Sequence, residues 1–299
     1  MSEREVIEVS LGAPERDFDV IVGVLGERVR IKRVGTAGDL GLAKALVRQY
    51  DGKVSCISLG GVNYYYRLGE RKYPVPGAAA LACAERTPVV DGSGVKRYIE
   101  PEIICHMQAS GEIDVRGHRV LFVSVLDRYD SALRMRALGA DVWAGDPLFA
   151  LGVPLVLPIS AFTALARVTM PLLSRIPLRL LYPLRDQTTA GNTPGIRGFS
   201  YIVGDIHLLR RRMPSRLDGV TVISASLRPA DEKLIESRKG RAIAMNKLEG
   251  MSLAANVLEA VLVAILGRVP RREDYLALLE HLSFGHYMQQ HIDKNAGPV

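Results

Sequence analysis

Asp91 and Lys96 lie close together in VDGSGVK, a carboxylate and an ammonium around a Gly-Ser-Gly turn. Such a pair can relay a proton from a substrate hydroxyl, and the glycines flanking Ser93 let the backbone approach a ligand closely. The plainer alternative is a turn capped by Asp91 beside a solvated lysine. A second candidate lies in GDIHLLRRRM, where His207 stands next to Asp205 at the end of a strand, with Arg210 just beyond it. An imidazole beside a carboxylate can act as acid or base near neutral pH. The third is GTAGDLG, with Gly35, Gly38 and Gly41 between a strand and a helix. Its amides could cradle an anion, or Asp39 or Thr36 could simply cap the helix.

These side chains need elements to hold them, and the clearest are RVLFVSV, DRYDSALRMRALGA and DVWAGD, which read as strand, helix and strand over residues 119–146. That is the outline of a dinucleotide-binding βαβ unit, in which the acid closing the second strand would hydrogen-bond a ribose. Asp146 takes that place, while Asp127 and Asp130 lie where a pyrophosphate would sit against the helix. A Gly-rich turn is absent: Leu126 to Ser131 occupy its position. Two carboxylates repel phosphate unless Arg128 or a metal offsets them, so this turn is expected either to contact cofactor hydroxyls or to cap the helix. Ser224 ends a later strand and joins the expected cofactor contacts, because ligands of parallel sheets bind outside the carboxyl ends of the strands.

Around this unit the chain alternates strand and helix signals. FDVIVGVL and ERVRIKRVG predict a hairpin near Gly26, KVSCISLGG a buried strand, and YYYRLGERKYPV a hairpin through Gly69. Helices are expected over AAALACAE, from about Lys96 to Met107, over SAFTALARV and over SLAANVLEAVLVAILG, with a further one after Pro171. Helices between strands require crossovers, so the sheets should be largely parallel. The fold class is therefore α/β, with two α/β domains, the C-terminal one Rossmann-like without the glycine fingerprint. The expected division is 1–112 and 113–299, the latter carrying a Leu- and Pro-rich insertion at 153–198. Its polar part, 187–198, has the composition of a functional loop.

Composition narrows the partners. Hydrophobic residues make up 48% of the 299 and charged residues 24%, as in a folded α/β protein. The formal charge of +7 could attract anions, yet the arginines are scattered and lack interleaved aromatics, so no nucleic acid is expected. Cys56, Cys83 and Cys105 sit in apolar runs and predict reduced thiols, and MSEREVIEVS has no export-signal pattern, so a cytoplasmic location is expected. Residues 153–184 are apolar but contain Arg167, Arg175 and Arg179 among several prolines, which argues against a membrane span. His281, His286 and His291 recur every five residues, which spreads them around a helix and predicts no metal site. The apolar stripe of 253–266 suits core packing or a dimer interface, and a homo-oligomer is expected.

The segments VDGSGVK, VLDRYDSA, GDPLFALGVP, GDIHLLRRRMP and NVLEAVLVAILG resemble a group of bacterial proteins labelled quinate 5-dehydrogenase, over nearly the whole chain. The resemblance implies oxidation of a ring hydroxyl of quinate with NAD or NADP as hydride acceptor, and a Lys–Asp pair that positions and deprotonates that hydroxyl. Asp91 and Lys96 are its nearest local candidates. The Asn-Val-Thr-x-Pro-x-Lys motif of the better-known quinate and shikimate dehydrogenases is missing. The leading expectation is an oxidoreductase moving hydride between a nicotinamide cofactor and a quinate-like hydroxy acid. The alternatives are a nonredox enzyme of a phosphorylated or nucleotide ligand, with Arg210 as clamp, and a noncatalytic binding subunit.

Overall fold

A computed structural model describes residues 4–175, 196–248 and 251–281. Its first sheet holds β1 (Arg4–Ser10), β2 (Phe18–Val24), β3 (Glu27–Gly35), β4 (Cys56–Gly60) and β7 (Val89–Val90), in the order β2-β3-β1-β4-β7. Only β2 runs antiparallel. It is joined to β3 by Leu25 and Gly26, both at positive φ (51° and 78°), the two-residue turn that matches strand twist. Between β4 and β7 lie the hairpin β5 (Tyr65–Leu68) and β6 (Arg71–Pro74), and the short α2 (Ala78–Leu81). α1 (Leu40–Tyr50) packs Ala43 and Val47 against the sheet.

The register aligns Ser10 with both Gly35 and Gly60, so three strands end at one level. The loop after β1 folds over that edge. A Cβ on Gly35 would come within 2.7 Å of the Ala13 carbonyl, which is why glycine ends this strand.

The second sheet contains β8 (Arg119–Phe122), β9 (Asp141–Ala144), β10 (Leu157–Pro158), β11 (Tyr201–Val203), β12 (Thr221–Ser224) and β13 (Arg241–Ala244), in the order β10-β9-β8-β11-β12-β13. All but β10 are parallel. Counting the parallel strands along the chain, the order is 2-1-3-4-5, the doubly wound arrangement whose switch point lies between its first and third strands, here β8 and β11. Alternation within β8 confirms two covered faces. Val120 and Phe122 share a core with Ala132 and Met135 of α4 (Tyr129–Ala137), while Leu121 packs with Leu209 of α7 (Ile206–Arg210) and Ile235 of α8 (Pro229–Ser237).

α3 (Glu100–Ser110) precedes the second sheet, α5 (Asp146–Phe149) follows β9, and α6 (Ile159–Leu173) follows β10. After β13 come the small hairpin β14 (Lys247–Leu248) and β15 (Met251–Ser252), then α9 (Ala255–Leu266) and α10 (Arg272–His281). α9 does not stay with the second sheet: it packs on β1, β3, β4 and β7. A division at 112/113 therefore leaves the helix that covers the first sheet with the later part of the chain. The apolarity of this stretch is explained by core burial within the chain.

Three expected elements differ. The helix over AAALACAE stops at Leu81, because Asp51 accepts the amides of Glu85, Arg86 and Thr87 at 2.8–2.9 Å and draws the chain away. These bonds hold Asp51 at about 2. The helix from Lys96 opens with a π turn, Val95–Ile99, and runs on to Ser110. Pro101 has no N–H to return to the preceding turn, and the widened turn accommodates it. α6 runs through Pro171 to Leu173, where the proline predicts a break, and the stretch 176–195 falls outside the described residues. Most of the 187–198 loop, with His286 and His291, falls outside the described residues.

Candidate functional site

The carboxyl edges of the two sheets face one another. Asn63 follows β4, Lys96 follows β7 and Asp127 follows β8, and their side chains close a triangle. Lys96 Nζ donates to Asp127 Oδ1 at 2.7 Å and to Asn63 Oδ1 at 2.7 Å, and Asn63 Nδ2 donates to Asp127 Oδ1 at 2.7 Å. Both charged side chains are about 15% exposed, at 15% and 14%, so the pair is shielded but reachable. A polar cleft opens here, lined among others by Asn63, Arg67, Ser93, Lys96, Asp127 and Asp130.

The electrostatics are set from behind. Burial would raise the Asp127 carboxyl, but Lys96, Arg128 and the bond from Asn63 outweigh it and hold it below the usual carboxylate range. Arg128, itself buried, ion-pairs with Asp127 through Nη1 and with the wholly buried Glu100 at 3.0 Å. Burial opposes the Arg128 charge, and Glu100 and Asp127 more than restore it. Asp130 pairs with Arg67, which also donates to the Gly69 carbonyl at 2.7 Å.

The structure therefore brings together Lys96, Asp127, Asp130 and Ser93, but it changes two partnerships. Asp91 is not the partner of Lys96. Its carboxylate accepts the amides of Tyr64 (2.6 Å) and Ser93 (3.0 Å), shaping the turn that carries Lys96. Asp127, expected beside a cofactor, is the carboxylate that meets the lysine. Asn63 was not singled out from the sequence. The strand-end rule marks its loop, but only the fold reveals which side chain there reaches across.

Asp146 opens α5, two residues after β9, with its carboxylate turned inward. It accepts from Ser124 Oγ (2.8 Å), Val125 N (2.8 Å) and Leu126 N (3.2 Å). Burial pushes it up to about 6 against these bonds. The amides a dinucleotide pyrophosphate would use after the first strand are thus occupied by the residue expected on the ribose. With Asp146 closing this turn and Asp127 and Asp130 beside it, these residues do not fit a dinucleotide bound in the usual way.

Four amides of the GTAGDLG turn are spent internally. Gly35 N donates to Asp17 at 2.7 Å, Thr36 N to Ser10 O at 2.8 Å, Ala37 N to Gly12 O at 3.0 Å and Asp39 N to Thr36 O at 2.8 Å. Asp39 caps α1 by accepting from Leu42 N at 2.9 Å. Gly38 is needed for its φ of 83°; Gly41 lies within the first turn of the helix. The anion-cradle expectation for Gly35, Gly38 and Gly41 gives way to capping.

On the other side of the switch point, Asp205 caps α7, accepting from His207 N at 2.7 Å. The His207 ring meets Arg16, from the short turn Pro14–Arg16 after β1, at 3.0 Å. Burial lowers the His207 pKa, with Asp205 and Asp231 opposing and Arg16 and Arg228 assisting. Arg210 pairs with Asp231 at 2.8 Å, and Ser224 is buried at the end of β12. Among the described residues, no group of three or more His, Cys, Asp or Glu side chains could hold a metal ion, and no helix is long and apolar enough to cross a membrane.

Fold and cleft define the class: an α/β protein with a doubly wound second sheet and a Lys–Asp pair where two carboxyl edges meet. The chain belongs to the family described as Domain of unknown function (DUF8754), whose model matches residues 94–290. A second model, Domain of unknown function (DUF8753), matches residues 5–91, so the two matches meet in the turn that carries Lys96. No curated protein matches the chain. Among solved structures, the chain is similar to a dipicolinate synthase subunit from Bacillus halodurans at 15% identity, covering 89% of this chain and 98% of that one with a TM-score of 0.27.

Proposed function

We propose that the protein is an enzyme acting on a hydroxyl or carbonyl oxygen of a small polar substrate, with Lys96 and Asp127 at the reacting oxygen and Asn63 fixing their geometry. The observation that carries this reading is the closed Lys96–Asp127–Asn63 triangle in a cleft between two strand-end edges. An ammonium has three N–H donors, and two are spent within the triangle, so one can meet a substrate oxygen. An ionised Asp127 holds the lysine in place and balances it. This arrangement suits proton donation to a carbonyl oxygen, or stabilisation of an alkoxide, better than abstraction by the carboxylate, whose basicity is low.

That chemistry fits oxidoreduction of a hydroxy acid, as the resemblance to proteins labelled quinate 5-dehydrogenase implies. The resemblance gives NAD or NADP as the hydride acceptor, held elsewhere than at the β8–α4 turn, which does not fit a dinucleotide in the usual way. The closure of the β8–α4 turn by Asp146 favours a second reading, a nonredox reaction on an anionic ligand using the same Lys–Asp pair. One panel separates the two: thermal stability with NAD, NADP, quinate, shikimate and phosphate, followed by turnover assays on whatever binds. Stabilisation by a nicotinamide dinucleotide and turnover of a hydroxy acid support the redox reading; stabilisation by phosphate alone supports the other. Turnover should fall by about 10²–10⁴ in Lys96→Ala, the range for a lost general acid. Undiminished turnover in that variant would remove Lys96 from the chemistry.

A further inference from the structure

The cleft at Lys96 encloses only about 30 Å³. A single buried water needs roughly 10–15 Å³, so there is room for a reacting oxygen and its nearest atoms, and the rest of a substrate extends beyond. A second cavity, of about 430 Å³, adjoins this one, and Arg97 and Asp130 line both. Its size falls within the roughly 300–1,000 Å³ of small-molecule sites.

Helix spacing builds its walls. α4 contributes Asp130, Leu133, Arg134 and Ala137, the i, i+3, i+4 and i+7 positions of one face, and α10 contributes Arg272 and Leu276, one turn apart. The π turn that carries Lys96 brings Arg97, whose guanidinium lies over the Tyr98 ring at 5.1 Å. Tyr98 stacks on Tyr275 of α10 at 5.5 Å, which ties α10 to that turn. Leu133 and Leu276, 38% and 40% exposed, give the cavity an apolar surface.

The carboxylates of this cavity are already engaged: Glu102 pairs with Arg134, and Asp130 with Arg67. Two guanidinium groups are left over. Arg272 has no ion-pair or hydrogen-bond partner among the described residues. Arg97 meets one carboxylate, that of Glu70, at 3.6 Å, and the Glu70 side chain is 89% exposed. Exposed pairs of this kind are weak, so a ligand oxyanion can take the place of Glu70.

We infer that the second cavity is a ligand site, in which a carboxylate or phosphoryl group pairs with Arg97 and Arg272 and an apolar body lies against Leu133 and Leu276, while the ligand's reacting oxygen reaches Lys96. The reacting end rests on the Lys96 reading above; the cavity and its two arginines do not. Titration calorimetry tests the site with two pairs of anions, benzoate against acetate and phenyl phosphate against inorganic phosphate. The aryl anion should bind about tenfold more tightly than its small counterpart, because its ring leaves water for the leucine surface. A preference for phenyl phosphate over benzoate assigns a phosphoryl group, and the reverse assigns a carboxylate. Affinity for the preferred aryl anion should fall about tenfold in Arg272→Gln and in Arg97→Gln, as for a lost charge-assisted pair. Saturable binding should disappear in Ala137→Trp, which fills the cavity from an exposed position at the end of α4. Arg136→Gln removes a charge of the same helix that does not line the cavity, and it should leave affinity within about twofold, since salt screens exposed charges at a distance. Melting curves confirm that the variants are folded. Equal affinity for aryl and small anions, an equal loss in Arg136→Gln and Arg272→Gln, or no saturable binding of either aryl anion overturns the site. Lys96→Ala should bind the aryl anion as the wild type does, so undiminished turnover in that variant would defeat the Lys96 reading and leave this one standing.

Discussion

The Asp146 carboxylate accepts the Val125 amide at 2.8 Å, so the acid just after β9 is folded back into the turn that ends β8. The same carboxylate takes Leu126 N and Ser124 Oγ. A protein side chain thus sits where a doubly wound fold usually offers free amides to a ligand's phosphate. Any anionic group entering the cleft has to find its donors elsewhere.

Asp146 should leave a signature in the pH dependence of stability. Its ordinary value is 3.8 and burial raises it to about 6 in the folded chain. Between those limits the folded protein binds a proton that the unfolded chain does not. The stability lost to the buried charge is lost in full above about 6 and recovered as pH falls toward 3.8. A shift of this size corresponds to about 3 kcal/mol as an upper order of magnitude. Asp146→Asn cannot titrate. Wild type should therefore gain stability relative to Asp146→Asn as pH falls from 7 to 4.5, measured by urea unfolding at each pH. A pH-independent difference would contradict the burial argument.

Behind the cleft, Glu100 and Arg128 form an ion pair at 3.0 Å, one side chain wholly buried and the other nearly so. Removing one partner strands the other charge, while removing both does not. Glu100→Gln should cost about 3–5 kcal/mol, the range for breaking a buried pair. Arg128→Met alone should also be costly, because it strands Glu100 and deprives Asp127 of a cation. The double variant should recover much of the loss. Additive costs in equilibrium unfolding would show that the pair is not coupled.

What could be read from the chain depended on whether the signal was local. Strand and helix periodicity marked β8, α4 and β9, and the positive-φ turn at Gly26 was visible in the residue itself. Lys96 was identified because a Gly-Ser-Gly turn precedes it. Its partner was not, because Asp127 lies on the other sheet and nothing in local spacing connects β7 with β8. Asn63 is silent for the same reason: it acquires its role from the facing of two carboxyl edges. Asp146 was recognised as special, but the direction of its side chain depends on the β8 turn it closes. The return of α9 to the first sheet was equally hidden, since an apolar helix does not declare which sheet it covers.

That return leads to a test at Gly94. Glu259 of α9 accepts Gly94 N at 3.1 Å, and the Tyr275 hydroxyl of α10 donates to the same carboxylate. A Cβ on Gly94 would run into both the Tyr275 hydroxyl and Glu259 Oε1, while one on Gly92 would lie 2.6 Å from the Asn256 amide. The turn carrying Lys96 is therefore seated directly on the two C-terminal helices. Gly94→Ala should cost about 1–3 kcal/mol through overpacking, and it should lower turnover as well, because the strain is relieved most easily by lifting Lys96 away from Asp127. Tyr275→Phe removes one colliding atom, so in the Gly94→Ala background it should return part of the stability, although alone it deprives Glu259 of a donor. Equilibrium unfolding of the two single variants and the double variant measures that coupling, expected at about 0.5–3 kcal/mol for residues in contact. A coupling near zero would mean that the turn does not rest on Tyr275, and that Lys96 is held by Asn63 and Asp127 alone.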